Sequence, residues 1–131
     1  MRAIKTIVIH HSGNSDTKEK IHELHVKKNG WNEIGYHFLI SREGEIINCR
    51  NLEKEGAHVY GYNIYSIGVC LLGNFDKEKP HELQIKKMNE LISNLKKEFY
   101  IKEIKFHREF PNVTKSCPGK NINKTVFNFQ I

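Results

Sequence analysis

The sequence predicts an α/β fold in which one central mixed β-sheet is flanked by helices. Five segments have the length and the β-branched or alternating composition of strands. Two segments between them have the spacing of amphipathic helices. Because no repeat and no Pro/Gly/Ser-rich linker divides the 131 residues, we expect a single domain over residues 1–131.

The first half of the chain predicts a strand, a helix and a hairpin. The segment "AIKTIVIH" (residues 3–10) is a strand candidate that leads into the turn-prone "HSGNSD". Asp16 and Glu19 have the spacing of a capping box for a helix over residues 17–29, which Gly30 would end. "YHFLIS" (36–41) and "EIINCR" (45–50) flank "REG", which predicts a β-hairpin.

The second half predicts a buried strand, a long helix and a last strand. "SIGVCLLG" (66–73) is almost continuously apolar, as expected of a central strand. A helix should begin after Pro80, because the following apolar residues recur at helical spacing: Met88, Leu91, Ile92, Leu95 and Phe99. "IKEIKF" (101–106) alternates as a strand does and places His107 at its end.

Composition excludes several classes of protein. The net charge is +6, but the lysines are scattered, so we expect no nucleic-acid partner. No apolar run is long enough for membrane insertion, and the N-terminal residues do not resemble a signal peptide. We therefore expect a protein made in the cytoplasm without a signal peptide. Three widely spaced cysteines, Cys49, Cys70 and Cys117, indicate no disulfide framework.

A metal site is one interpretation of the histidines and of the last cysteine. His10 and His107 each end a predicted strand, and Cys117 lies on the loop after the second one. Strand ends can converge at one edge of a sheet. Two imidazoles and a thiolate suit zinc and leave a fourth position for water. Buried histidines bonded to the backbone and a buried thiol packed in the core are the alternatives.

Five stretches of the sequence together resemble a known enzyme family. In order they are "IVIHHS", "GWNEIGYHFLISREGEI", "GAHVYGYNIYSIGVCLLGNF", "FHRE" and "KSCPG", which extend from residue 7 to residue 119. In these motifs the chain resembles the zinc-dependent N-acetylmuramoyl-L-alanine amidases of the phage T7 lysozyme type, which share their fold with peptidoglycan recognition proteins. The resemblance implies that residues 1–131 form a catalytic domain of this kind.

The resemblance also implies a role for individual residues. The family's zinc ligands fall on His10, His107 and Cys117, with His11 as the rival at the first position. Adjacent residues of a strand face opposite sides, so only one of the two should reach the metal. Tyr36 falls on a tyrosine that orients water or passes a proton, and Lys115 on a lysine that stabilises the oxyanion. Both could instead have only structural or solvent-exposed roles.

Three further residues carry weaker predictions. His58, in "GAHVYGYN", lies in a segment that borders the substrate groove in the family, so we expect it to contact the muropeptide substrate. His37 should point away from Tyr36 and have a structural role. Trp31 either stacks on a sugar or anchors the end of the helix.

The predicted function is hydrolysis of the amide between N-acetylmuramic acid and L-alanine in peptidoglycan. A monomeric phage or prophage endolysin, acting on the cell wall after release through a permeabilised membrane, is the expected setting. A bacterial wall-recycling or autolytic amidase and a non-catalytic peptidoglycan-binding module are the alternatives. A thiol hydrolase, with Cys117 as nucleophile and His107 as base, is a further one.

Overall fold

The computed structural model describes residues 2–13, 17–28, 30, 33–111 and 113–125. The strands are β1 (Thr6–His11), β2 (Phe38–Ile40), β3 (Ile46–Asn48), β4 (Ser66–Leu71) and β5 (Glu103–Phe106). The helices are α1 (Lys18–His22), which continues into a π-helical segment (Glu23–Lys28), and α2 (Glu82–Glu98). Two 3₁₀ turns, Asn63–Tyr65 and His107–Glu109, complete the described elements.

The strands form one mixed sheet in the order β3-β2-β4-β1-β5. Strand β1 pairs in parallel with β4 and β5, and β2 pairs in parallel with β4. Only β3 is antiparallel to its neighbour, because it forms the predicted hairpin with β2. Every residue of β4 is buried, which explains its near-continuous apolar sequence. The α/β class, the mixed sheet and the central position of β4 are thus confirmed.

The long helix α2 covers one face of the sheet. Its apolar residues Met88, Leu91, Ile92 and Leu95 are buried in the main core cluster with strand residues such as Ile7 and Ile9. At its first turn the buried amide of Gln84 accepts a hydrogen bond from the backbone N–H of His81 and donates to the carbonyl oxygens of Ile40 and Leu72. The predicted amphipathic helix after Pro80 is confirmed.

The first helix differs in detail from the prediction. Its N-cap is Thr17, whose hydroxyl accepts from the backbone N–H of Lys20. The predicted cap, Asp16, lies outside the described residues, as does Trp31. The sequence did not predict the π-helical segment, in which His25 is buried, as Ile21 is in α1. Within the described ranges, no helix combines the length and apolar character that a membrane-crossing segment needs.

Side-chain alternation along β1 divides its residues between the two faces. Ile7 and Ile9 belong to the core cluster beneath α2, whereas Val8 belongs to a separate cluster on the opposite face. By the same alternation His10 shares the face of Val8. Strands β1 and β5 run in parallel, so their carboxyl ends lie at the same edge of the sheet. That edge carries the site.

Candidate metal centre

The structure brings together the three residues that the sequence analysis proposed as metal ligands. His10 lies near the end of β1, His107 directly follows β5, and Cys117 lies on the next loop. Their ligand atoms all lie within 4.8 Å of one another. The Nδ1 atom of His10 is 3.7 Å from the Sγ atom of Cys117, and the ring centroids of His10 and His107 are 4.6 Å apart.

His10, and not His11, faces this cluster. The ring of His11 points to the other side of the strand, where its Nδ1 accepts a hydrogen bond of 3.1 Å from the backbone N–H of Phe75. The backbone N–H of His11 lies 3.4 Å from the Sγ atom of Cys117. His11 thus supports the neighbouring loops through its ring and the cysteine through its main chain.

The donor set fits a zinc ion. In a tetrahedral zinc site with ordinary bond lengths, a nitrogen and a sulfur ligand are separated by about 3.5 Å, close to the 3.7 Å between His10 and Cys117. Burial lowers the pKa of His10 and of His107, so both imidazoles are neutral at neutral pH, the form that coordinates metals. Three protein ligands on an open cavity leave room for a water molecule.

The free thiol of Cys117 is a poor nucleophile in this environment. Burial raises the pKa of Cys117 to about 11, although the backbone N–H of His11 and the charge of Arg108 act in the opposite direction. At neutral pH the thiol without a metal is therefore protonated. This argues against the thiol-hydrolase alternative, which needs a thiolate.

Tyr36 and Lys115 lie around the same cavity, which has a volume of about 520 Å³. The ring of Tyr36 packs on that of His10, with centroids 5.0 Å apart. Burial raises the pKa of the Tyr36 phenol well above its usual value, and the neighbouring sulfur atoms of Cys70 and Cys117 act in the same direction. The phenol therefore keeps its proton. Lys115 is exposed at the rim, and its charge contributes to lowering the pKa of His107.

His58 lies behind His10. The residue is 9% exposed, and its Nδ1 atom is 2.9 Å from the Nε2 atom of His10. The predicted contact of His58 with a muropeptide stays a prediction.

His37 is fully buried; its Nδ1 accepts from the backbone N–H of Gly68, and its Nε2 lies 2.8 Å from the carbonyl oxygen of Lys54. These bonds agree with a structural role.

Two residues of the cavity wall were not found from the sequence. His25 is buried beside Tyr36, and its Nδ1 accepts from the backbone N–H of Gly35. The sequence signal that could have identified His25 was its spacing, because it lies four residues after the buried Ile21. The carboxylate of Asp76 accepts from the hydroxyl of Ser116 at 2.7 Å. No local pattern indicates that contact, because it joins two distant loops.

Arg108 fixes the cysteine loop from the other side. Its backbone N–H donates to the carbonyl oxygen of Cys117. Its guanidinium donates to three further carbonyl oxygens of the same loop, those of Ser116, Gly119 and Ile122. A planar group with five donors is suited to hold several carbonyls at once. The residue that follows His107 is therefore one of the groups that hold the loop of Cys117 in place.

Comparison with known proteins gives the same family throughout. The family model described as N-acetylmuramoyl-L-alanine amidase matches residues 1–120. An endolysin of Klebsiella phage KP32 is 31% identical over 127 residues, which are 90% of this chain and 82% of the relative. An endolysin of Escherichia phage T7 is 31% identical over 103 residues, covering 75% of this chain and 67% of the relative.

Solved structures agree with these sequence matches. The N-acetylmuramoyl-L-alanine amidase LysC from Clostridium intestinale URNW superposes with a TM-score of 0.87 and 31% identity, covering 95% of this chain and 83% of that one. Peptidoglycan recognition protein SA of Apis mellifera also gives a TM-score of 0.87, at 26% identity, covering 98% and 84%. The fold predicted from the resemblance is confirmed, and the chain belongs to the N-acetylmuramoyl-L-alanine amidase family.

Proposed function

We propose that this chain is a zinc-dependent N-acetylmuramoyl-L-alanine amidase of the phage endolysin type, with residues 1–131 as its catalytic domain. Its substrate is the amide that joins the lactyl group of N-acetylmuramic acid to L-alanine in peptidoglycan. The observation that carries the proposal is the convergence of His10, His107 and Cys117 at one cavity, within 4.8 Å of one another.

The three ligands would hold zinc through the Nδ1 atom of His10, an imidazole nitrogen of His107 and the sulfur of Cys117. Zinc in such a site activates water near neutral pH and polarises a carbonyl group. The cysteine must lose its proton on metal binding, so its high pKa makes binding weaker as the pH falls. The burial of His10 excludes competing water from one side of the site.

Tyr36 and Lys115 would act on the substrate amide. The Tyr36 phenol keeps its proton at neutral pH, so it is suited to donate a hydrogen bond to the reacting oxygen atoms. The ammonium group of Lys115, on the loop two residues before Cys117, can approach the oxygen on which negative charge develops. Because Lys115 is exposed at the rim, its ammonium group stays hydrated until the substrate arrives.

A complete ligand set favours hydrolysis over binding alone. A module that only held peptidoglycan would not need a metal-binding cysteine fixed by both Arg108 and Asp76. Matches to phage endolysins along most of their length favour a lytic role on the cell wall over the wall-recycling alternative.

The test is digestion of purified cell walls, followed by turbidity and by labelling of newly exposed amino groups. We expect clearing with N-terminal L-alanine as the new end group, loss of activity after metal removal with a chelator, and recovery on adding zinc. Cys117→Ala serves as the inactive control. Clearing that survives complete metal removal would contradict the zinc mechanism, and a different new end group would contradict the assigned bond.

A further inference from the structure

The ring of His58 contacts His10 on the side away from Cys117. The Nε2 atom of His10 is 2.9 Å from the Nδ1 atom of His58, whereas the Nδ1 atom of His10 is 3.7 Å from the cysteine sulfur. The two imidazole planes are nearly perpendicular, at 89°, with centroids 5.0 Å apart. The two nitrogens of His10 thus face different partners, one towards the metal centre and one towards His58.

This arrangement determines where the protons lie. A nitrogen that coordinates a metal must present its lone pair, so Nδ1 of His10 carries no proton and Nε2 carries one. The Nε2–H group of His10 then donates to Nδ1 of His58, which must accept. The proton of His58 is therefore on its own Nε2, which lies 3.4 Å from the hydroxyl oxygen of Ser66. The tautomer with the proton on Nε2, in both rings, therefore satisfies the contact between the two histidines and the contact with Ser66.

The site that holds the His58 ring is built to fit it closely. A methyl group at Gly68, in the middle of β4, would lie 2.6 Å from Cδ2 of His58, and one at Gly56 would lie 2.5 Å from the same atom. Glycine in a central strand usually weakens it, and here it allows close approach of a ring. The side-chain oxygen of Asn63 accepts from the backbone N–H groups of His58 and Val59, which fixes the main chain.

We propose that His58 is a positioning residue, which holds the ring of His10 in the tautomer and the orientation that present Nδ1 to the metal. This inference rests on the proposed zinc site. His58 acts through His10 and does not touch the metal. Partners of this kind, bonded to the outer nitrogen of a coordinating histidine, typically contribute 10- to 100-fold to metal affinity.

Two variants whose side chains share the same branched heavy-atom skeleton separate the hydrogen bond from the shape of the side chain. His58→Asn keeps an acceptor near the position of Nδ1, whereas His58→Leu removes it. Zinc affinity is measured without substrate, by competition with a chromophoric chelator. We expect His58→Leu to bind zinc about 10- to 100-fold more weakly and His58→Asn to stay nearer the parent. Parent-like affinity in the leucine variant, or an equal loss in both variants, would overturn the inference.

The parent protein supplies the second measurement, which does not depend on how the variants fold. Long-range ¹H–¹⁵N spectra of the zinc-loaded, histidine-labelled protein report the tautomer of each ring. We expect His58 to carry its proton on Nε2, and a proton on Nδ1 would refute the proposal. Failure of the proposed function gives a different result from failure of this inference, because the parent protein itself would then bind no zinc in the competition assay.

Discussion

The backbone N–H of Arg108 donates a hydrogen bond of 2.9 Å to the carbonyl oxygen of Cys117. Arg108 directly follows the proposed ligand His107, so this bond joins the main chains that carry two of the three ligands. The guanidinium of the same residue extends the connection to the carbonyl oxygens of Ser116 and Gly119. Together with Asp76, which accepts from the Ser116 hydroxyl, this side chain outside the proposed metal centre therefore holds the loop of Cys117 in place.

Arg108→Lys should loosen this loop. A lysine cannot reproduce the planar set of donors, and hydrogen bonds from a charged donor contribute about 1.5–3 kcal/mol each. We expect the free energy of unfolding to fall by about 1–3 kcal/mol and zinc affinity to fall with it, as measured by urea denaturation and chelator competition. The matched control is Arg42→Lys, which alters a half-exposed ion pair with Glu78 and should cost less. Equal effects in both variants would argue against a special role for Arg108.

Removal of a ligand should empty the metal centre. Cys117→Ala and His107→Ala each leave two protein ligands, so we expect substoichiometric zinc after dialysis, measured by elemental analysis. Cys49→Ala is the control, because Cys49 lies next to β3 and is not one of the clustered ligands. Stoichiometric zinc in either ligand variant would refute the assignment.

Tyr36→Phe should keep the metal and slow the reaction. The substitution removes only the hydroxyl, so the ring can still pack on His10. Proton transfer or hydrogen bonding by a positioned side chain contributes roughly 10²–10⁴-fold, and we expect kcat on cell-wall fragments to fall by at least about tenfold. A rate equal to that of the parent would show that Tyr36 only packs.

Lys115→Ala should also lower kcat without releasing zinc. Loss of one group that stabilises an oxyanion costs about 10²–10³-fold in other hydrolases, and an exposed lysine should give the lower part of that range. Lys120→Ala, an exposed lysine of the same loop, should leave the rate unchanged. If both variants retain the parent rate, the Lys115 side chain is only solvated.

The metal-free protein should lose stability as the pH falls from about 6.5 towards 4. Burial lowers the pKa of His37 to about 4, below the value of about 6.5 in an unfolded chain. The unfolded state therefore binds the proton first, so this contribution is complete above pH 6.5 and is lost on acidification. It amounts to about 3 kcal/mol. Urea titrations at a series of pH values should show this slope, and His37→Asn should reduce it. An unchanged slope in that variant would assign the pH dependence to other groups.

Local patterns were sufficient for most of the fold, whereas the proposed ligands were assigned through the resemblance of five motifs to the amidase family. The alternation in β5 and the apolar run of β4 identified both strands, and strand ends indicated where His10 and His107 would meet. The contact between His10 and His58 could not be predicted, because it depends on how a loop folds beneath a glycine of a central strand. The same holds for Asp76, whose partner is 40 residues away in sequence.

The ligand positions also determine when the centre can form during synthesis. His10 precedes Cys117 by 107 residues, so it has no complete set of partners until residue 117 has also emerged. A growing chain therefore cannot form this site before residue 117 has emerged. Assembly of the proposed catalytic centre thus depends on closure of the loop that carries Cys117 onto the end of β1.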